Sequence, residues 1–378
     1  LSRSRKLMPT INYLTRIEFD FEAISGLGAE IERMGLKRPL LVTDRGIADA
    51  GILQRALDAA APSRPVVYDG TTENPTEQSL LECLEIWSAH GCDGVIALGG
   101  GSPIDLAKAV ALLTSHGGKL EDYNVKTGGS AGIGKVSPQI AIPTAAGTGA
   151  EVGRACVMSL LDGSKMVAVN LNMVADLVIC DPELTLSLPP RLTAATGIDA
   201  LSHGVETCCS TWDNPPAAAI GLEAVRRAAK WLPVAVENGA DRTARWEMMM
   251  ASLMGGMCLQ KALGGAHAMA TPLGELHLHH GTLIGILLPH ILRFNQGYAD
   301  VAYADLAAAM NVPDGLDLHR WMTGFVTEIG LPTTLSALSV DEALLPAIAE
   351  KASLDHLSAT NPRPAAAADY LQLLRDAM

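Results

Sequence analysis

The chain has 378 residues, of which 48% are hydrophobic and 18% charged, and its formal net charge is −13 at pH 7. A chain of this length and composition is expected to form two globular domains with a large core. The negative balance argues against nucleic acid as a partner, and the absence of any apolar stretch approaching the roughly 18 residues of a membrane-spanning helix argues against a membrane.

Short apolar runs alternate with helical stretches over the first half of the chain. Four runs are predicted as buried strands, over residues 39–44, 65–68, 93–98 and 139–142. Helices are predicted between them, over residues 51–61, 76–90 and 102–115. Continuous apolar strands that alternate with helices are typical of a parallel sheet covered on both faces. The first half is therefore predicted to be a doubly wound α/β domain.

From about Pro189 onward the pattern changes to long segments rich in Ala, Leu and Met, without candidate strands. Helical segments are predicted over residues 215–238, 241–270 and 298–309. Prolines cluster between residues 182 and 190, which is typical of a boundary. We therefore predict an α/β domain over residues 1–186 and an all-helical domain over residues 187–378.

Two features bear on the compartment. Residues 1–8 are basic but contain no apolar segment of the length of a signal peptide, so Met8 is a candidate native start. The seven cysteines show no CxxC spacing and lie mostly in apolar runs, which predicts buried, reduced thiols. Both features favour a cytoplasmic protein.

Three consecutive glycines, Gly99, Gly100 and Gly101, follow the third predicted strand and open a helix at Ser102. Successive glycines let the backbone approach a diphosphate, and a helix N-terminus supplies N–H donors and a positive dipole end. We place Asp105 in the first helical turn, where a carboxylate complements the dipole. The alternative is a plain tight turn, but three glycines exceed what such a turn needs.

Two further segments are candidates for contact with a nucleotide. Thr144 and Thr148 follow the fourth predicted strand, and their hydroxyls suit a ribose or a nicotinamide amide, although a plain loop explains them equally well. Asp44 ends the first predicted strand, where a carboxylate binds the adenosine ribose 2′-hydroxyl and repels a 2′-phosphate. This placement favours NAD over NADP, with helix capping as the alternative role of Asp44.

Four residues in the second half form a candidate metal site. Asp199 and His203 are four residues apart, so they share one face of a helix. His267 and His280 complete the set, with His277 and His279 as alternatives to His280. Carboxylate and imidazole ligands suit Fe(II) or Zn(II) and leave room for a substrate oxygen. The choice between iron and zinc stays open.

Together these segments resemble the iron-containing (group III) alcohol dehydrogenase family over nearly the whole chain. The motifs lie, in chain order, at residues 99–105, 142–151, 181–184, 193–203, 265–270, 280–281 and 287–290. The resemblance implies an N-terminal Rossmann-like domain and a C-terminal helical domain of the dehydroquinate synthase-like type, with the active site between them. It implies that the four candidate ligands hold the metal, and that dinucleotide contacts come from Asp44, Gly100, Gly101, Ser102, Thr144, Thr148 and Lys165.

The resemblance implies a metal-dependent, NAD(P)-linked alcohol dehydrogenase or aldehyde reductase. Its substrate would be a small primary alcohol or hydroxy acid, and a dimer is expected. A hydroxyacid–oxoacid transhydrogenase and a metal-free maleylacetate reductase are alternatives, although Asp199 argues against the latter. A dehydroquinate synthase-like lyase would need Lys and Arg around the metal, where the nearest are Arg191 and Lys261. A non-catalytic binding protein is the remaining alternative.

This chain departs from the family pattern at Thr271, where many members carry a second histidine that is thought to relay protons. A threonine hydroxyl holds no charge near neutral pH. The loop that leads to His280 is also one residue shorter than expected. We therefore list Thr271, His277 and His279 as candidate catalytic residues, with the proton leaving through one of the two histidines or through water and ribose hydroxyls.

Overall fold

The computed structural model describes residues 15–378, so the predicted start at Met8 lies outside the described residues. Six of the eight strands in this range form one parallel sheet, in the order β1-β8-β5-β4-β2-β3, and β6 and β7 form an antiparallel hairpin. The strands are β1 (Arg16–Phe19), β2 (Leu40–Val42), β3 (Val66–Tyr68), β4 (Val95–Gly99), β5 (Gln139–Pro143), β6 (Ala155–Ser159), β7 (Lys165–Val169) and β8 (Leu177–Cys180).

Five helices connect the strands of this first half. They are α1 (Leu27–Arg33), α2 (Arg45–Asp49), α3 (Ile52–Ala59), α4 (Glu77–His90) and α5 (Gly101–His116). All four predicted strands are present as β2 to β5, and the three predicted helices are α3, α4 and α5. The prediction of a doubly wound parallel sheet is therefore confirmed, although it missed β1, β8 and the hairpin.

The order of the strands reverses between β2 and β4. From β2 the chain moves outward to the edge strand β3, then returns past β2 to form β4 and β5 on its other side. In open parallel sheets, ligands bind outside the carboxyl ends of the strands at such a reversal. Asp44 follows β2, Gly100 follows β4 and Thr144 follows β5, so all three lie at that end of the sheet.

The second half of the described chain is helical, with no strand between Asp181 and Met378. Its central helix, α6, packs against α7, α8 and α10. The helices are α6 (Pro190–Cys209), α7 (Pro215–Glu237), α8 (Arg242–Cys258), α9 (Gly265–Leu273), α10 (His280–Phe294), α11 (Asp300–Ala309), α12 (Leu318–Glu328), α13 (Leu345–Leu354) and α14 (Ala367–Asp376). The predicted helical character is confirmed. Between residues 15 and 378, no helix combines the length and apolarity needed to cross a bilayer.

The helical segment predicted over residues 241–270 consists of two helices, α8 and the start of α9. The chain leaves α8 after Cys258 and passes through Ala262, whose φ of 66° is left-handed and ends helical geometry. It then enters α9 after an extended Gly264. The break matters because it places His267 in the first turn of a new helix rather than in the middle of a long one.

The two halves contact each other through a pair of glycines. Gly149, in the loop between β5 and β6, has a φ of +64° and packs on Gly256 of α8. A Cβ atom on Gly149 would lie 2.5 Å from the Gly256 Cα atom, which is too close for any side chain. Nearby, Met249 and Leu253 of α8 pack against Val178 of the sheet. The backbone contact thus sets how closely the helical half approaches the sheet.

Candidate active site

Three histidine side chains converge on one carboxylate oxygen. The Nε2 atoms of His203, His267 and His280 lie 3.6, 3.5 and 3.5 Å from Oδ1 of Asp199. Ligand atoms of Asp199, His267 and His280 all lie within 4.8 Å of one another, and His203 stands beside His267 with the ring centroids 5.0 Å apart. The four predicted metal ligands are therefore brought together by the fold.

Three helices position this cluster. Asp199 and His203 lie one turn apart on α6, His267 lies in the first turn of α9, and His280 is the first residue of α10. Gly281 packs directly on the backbone carbonyl of Ala195 in α6, where a Cβ atom would overlap it. Only glycine allows α10 to begin so close to α6, and this places His280 within reach of Asp199.

Glu206 is a buried member of the site that the sequence analysis missed. Its Oε2 atom lies 2.5 Å from Nδ1 of His267, and its Oε1 atom accepts a hydrogen bond of 2.7 Å from the backbone N–H of Ala266. Since a carboxylate only accepts, Nδ1 of His267 carries the hydrogen and Nε2 faces Asp199. Its position in the sequence could have identified Glu206, because residues 199, 203 and 206 lie on one face of a helix.

The electrostatics of the cluster follow from burial and close charges. Burial raises the pKa of Asp199, but the neighbouring histidines outweigh it and hold that pKa below its usual range. Burial lowers the pKa of His203 to about 4. Burial also acts to lower the pKa of His267, but the carboxylates of Glu206 and Asp199 outweigh it and raise that pKa to about 9.

Two of the side-chain atoms that face one another in this cluster are unsatisfied. Oδ1 of Asp199 and Nε2 of His267 are buried and have no hydrogen-bond partner among residues 15–378. Buried polar groups are normally hydrogen-bonded, and leaving one unsatisfied costs about 1–3 kcal/mol. A divalent cation satisfies such atoms at once, and one carboxylate with three imidazoles is a suitable ligand set for iron or zinc. The residues present therefore fit a metal ion.

A cleft of about 1720 Å³ joins this cluster to the carboxyl end of the sheet. Its wall includes all four candidate metal ligands and, at the sheet, the loops after β2, β4 and β5. The predicted nucleotide contacts that line it are Asp44, Gly100, Gly101, Ser102, Asp105, Thr144, Thr148 and Lys165. Gly101 lies against Thr148, so the two predicted nucleotide segments are adjacent.

Comparison with known proteins agrees with this geometry. A family model described as iron-containing alcohol dehydrogenase matches residues 15–182, and the model for the C-terminal part of the Fe-containing alcohol dehydrogenase family matches residues 193–378. The chain belongs to the iron-containing alcohol dehydrogenase family.

Two similar proteins span the same length. A 4-hydroxybutyrate dehydrogenase of Cupriavidus necator is 44% identical over 98% of this chain and 100% of its own. A 1,3-propanediol dehydrogenase of Citrobacter freundii is 35% identical over 98% of both chains. Like these relatives, the chain is an oxidoreductase that acts on CH–OH groups, as the sequence predicted.

Solved structures give the same result. A 1,3-propanediol oxidoreductase superimposes with a TM-score of 0.91 at 33% identity, over 98% of this chain and 100% of that one. A sulfoacetaldehyde reductase from Bifidobacterium kashiwanohense, in complex with NAD+, gives a TM-score of 0.89 at 26% identity, over 98% and 99%. The expected cofactors, NAD and iron (or zinc), agree with these findings.

Within this iron-containing dehydrogenase, several predicted residues have additional structural roles. Asp44 caps α2 by accepting a hydrogen bond of 3.0 Å from Ile47, so the capping role is present at the cleft wall. Ser102 donates to the carbonyl of Glu73, and Lys165 donates to Asn74 and Ser159 at 3.1 and 3.0 Å. Each of these side chains is therefore also held by hydrogen bonds within the protein.

One prediction about the glycine-rich turn was wrong, and Gly99 has a structural role beside the predicted one. Asp105 is not in the first turn of α5, which holds no acidic residue; its carboxylate instead accepts a hydrogen bond of 3.0 Å from Val157 in the hairpin. Gly99 is buried as the last residue of β4, and the cleft wall begins at Gly100. A Cβ on Gly99 would meet Pro103, so Gly99 is required by the turn itself.

The three candidate catalytic residues are placed differently. Thr271 lines the cleft and donates a hydrogen bond of 3.0 Å to the carbonyl of His267. His279 also lines the cleft, and its Nδ1 atom is buried without a partner among the described residues. His277 is exposed, has a left-handed φ of 58°, and is not among the described residues of the cleft wall. Of these two histidines, His279 lines the described cleft wall and His277 does not.

Proposed function

We propose that this enzyme transfers hydride between a small primary alcohol and NAD, with ω-hydroxy acids as its foremost substrates. The observation that carries the proposal is the convergence of three histidines on Asp199, in the same cleft as the glycine-rich turn at the strand reversal. A divalent metal held there supplies Lewis acidity, which lowers the pKa of the substrate hydroxyl.

The chain's own residues hold the reacting groups in place. Asp199, His203, His267 and His280 are the proposed ligands, and Glu206 orients His267 so that Nε2 faces the metal. The N–H groups that open α5 at Gly101 are positioned to bind the diphosphate. Thr144 and Thr148 are proposed to hold the nicotinamide end, so that its C4 atom receives hydride from the carbinol carbon.

We assign the exit of the hydroxyl proton to His279. It lines the cleft next to a proposed ligand, and its Nδ1 atom has no partner among residues 15–378. Thr271 is less suited to this task, because its hydroxyl holds no charge near neutral pH and its hydrogen is directed at the carbonyl of His267. We expect His279→Ala to lower kcat and change its pH profile, whereas His277→Ala, the matched control three positions from the ligand His280, leaves both unchanged. Equal effects of the two substitutions would contradict the assignment.

The proposed substrate class is supported by one relative. The 4-hydroxybutyrate dehydrogenase is similar over its whole length, at 44% identity, whereas the 1,3-propanediol dehydrogenase is 35% identical. Metal-free chemistry of the maleylacetate reductase type is disfavoured, because it would leave the buried Asp199 oxygen without a partner. We therefore rank 4-hydroxybutyrate above 1,3-propanediol as a substrate.

The test combines metal analysis with nicotinamide absorbance. Purified protein is loaded with Fe(II) or Zn(II), and NADH formation is followed with 4-hydroxybutyrate, 1,3-propanediol and ethanol as substrates. We expect metal-dependent turnover, with the hydroxy acid giving the highest kcat/KM. Full activity after chelation would contradict the metal-dependent mechanism, and a preference for ethanol would contradict the substrate class.

Three further expectations complete the proposal. The division at residues 186 and 187 rests on the change of composition near the proline cluster, and limited proteolysis tests it. The homodimer and the cytoplasmic location rest on the family resemblance and on the cysteine pattern. Light scattering tests the dimer, and fractionation of the source cells tests the location.

A further inference from the structure

One lysine is buried beneath the cofactor-binding half of the cleft. Lys108 lies two turns into α5, is 1% exposed, and is not among the described residues of the cleft wall. Its Nζ atom donates hydrogen bonds of 2.7, 2.6 and 3.0 Å to the carbonyls of Ala150, Gly153 and Ala155. A buried ammonium with all three donors satisfied is therefore attached to the loop between β5 and β6.

That loop, residues 144–154, carries Thr144 and Thr148 of the predicted nucleotide site. Its other side is fixed to the metal-binding half. The carbonyl of Gly147 accepts a hydrogen bond of 3.1 Å from Ser252 of α8, and Gly149 packs on Gly256 of the same helix. The neighbouring Gly255 packs on His203, one of the proposed metal ligands. The loop thus lies between Lys108 and the helix that supports the metal site.

The charge of Lys108 is suited to this position. A neutral side chain would leave up to three buried carbonyls without a donor, and unsatisfied buried groups are costly. Burial lowers the pKa of Lys108, and the carboxylates of Asp105 and Glu151 act against this shift without cancelling it. Asp105 also accepts the N–H of Val157, so the same cluster holds the hairpin that follows the loop. Lys108 and Asp105 together fix the loop at the end that leads into the hairpin.

We propose that Lys108 is a positioning residue. It fixes the 144–154 loop in the position in which the loop holds the nicotinamide end of NAD next to the metal. The proposal rests on the function proposed above, because it assumes that the loop contacts the nicotinamide end. Lys108 itself does not touch the cofactor. Its loss should therefore weaken the binding of the nicotinamide end and leave the binding of the adenosine diphosphate end unchanged.

The test compares two nucleotides on variant Lys108→Met. NADH contains the nicotinamide and ADP-ribose lacks it, and both Kd values are measured on the metal-loaded enzyme. We expect the Kd for NADH to rise about tenfold and that for ADP-ribose by less than about twofold, since charge-assisted hydrogen bonds act on the loop alone. Metal content per chain should stay unchanged.

Lys261→Met is the matched control. Lys261 is also a buried lysine that donates to three carbonyls, those of Thr207, Cys208 and Ser210, but the described cleft wall does not include it. We expect a comparable loss of thermal stability without a change in either Kd. If Lys108→Met does not fold, Lys108→Gln, which keeps an amide donor, should raise the Kd for NADH by about threefold.

The possible outcomes separate the two proposals. An unchanged Kd for NADH in the Lys108 variant, an equal weakening of both nucleotides, or the same pattern in Lys261→Met would overturn the positioning role alone. Failure of the wild-type enzyme to bind NADH would overturn the proposed function and the positioning role with it. Selective weakening of NADH in the Lys108 variant supports the positioning role.

Discussion

The two sides of the cleft satisfy their polar groups in different ways. On the sheet side, Asp44, Ser102 and Lys165 each have a hydrogen-bond partner within the protein. On the helical side, Asp199 and His267 present buried atoms without one among the described residues. These three side chains on the sheet side are therefore held within the protein, whereas Asp199 and His267 present buried atoms that a metal ion would satisfy. Substitutions on the metal side should accordingly have the larger effects.

The largest effect is expected for His267→Ala. It removes one ligand and leaves Glu206 buried without its partner, so we expect loss of bound metal and a decrease in kcat/KM of about 10³-fold or more. Metal content and NADH formation are measured together. His280→Ala, at a proposed ligand whose side chain is 45% exposed, should also lose the metal but without the cost in stability. Retained activity in a metal-depleted His267 variant would contradict the site.

Glu206→Gln should have a smaller effect of the same kind. The amide can still accept from Ala266, but it no longer fixes the hydrogen on Nδ1 of His267. Loss of such an orienting carboxylate typically weakens metal binding about 10–100-fold. Competition with a chelator measures the affinity, and the exposed Glu237→Gln at the end of α7 is the control. An unchanged metal affinity would show that Glu206 serves only to hold the start of α9.

Metal affinity should also depend on pH through His267. Its pKa of about 9 lies above the ordinary value of 6.5, so the metal-free protein holds a proton there that the metal must displace. Affinity should therefore rise about tenfold per pH unit up to about pH 9, with about one proton released. His203, with a pKa of about 4, is already neutral and adds none.

The same shift has the opposite sign for the stability of the metal-free fold. A raised pKa stabilises the folded state fully below about pH 6.5, and this contribution is lost as the pH rises through about 9. Metal titration in buffers of different ionisation enthalpy counts the proton, and thermal unfolding of the metal-free protein checks the stability. Affinity that is flat between pH 7 and about 9 would contradict the raised pKa.

The smallest effect is expected on the nucleotide side, for Asp44→Ala. We expect the preference for NAD over NADP to fall about fivefold, because one hydrogen bond to the ribose is lost. Loss of the α2 cap should also cost about 1 kcal/mol of stability. Asp241→Ala removes a comparable cap from α8, away from the cleft, and should reproduce only the stability loss. A full switch from NAD to NADP would contradict the small effect expected here.

The sequence predicted the parts of this molecule that depend on local pattern. Strands β2 to β5 were predictable because their apolar runs are buried on both faces, and the convergence of Asp199 with three histidines was predictable from their residue types and from the family resemblance. Strand β1 was missed because it lies at the sheet edge and carries Arg16 and Glu18. The break before α9 depends on a left-handed Ala262, which no composition rule identifies.

Long-range partners account for the remaining omissions. Glu206 is important only because His267, sixty-one residues away in the chain, is folded against it. Lys108 is likewise explained by carbonyls that lie 42 to 47 residues further along the chain. A side chain whose partner is distant in sequence resembles any other helical residue until the fold is known. The sequence therefore located the centre of the site but not the residues that support it.

The exposure of His280 bears on how the holoenzyme would assemble. Asp199, His203 and His267 are buried, whereas 45% of the His280 side chain is exposed, and all four line the cleft. An ion that reaches them through the cleft would share its route with the nucleotide. We therefore expect saturation with NADH to slow the rate at which a chelator removes the ion.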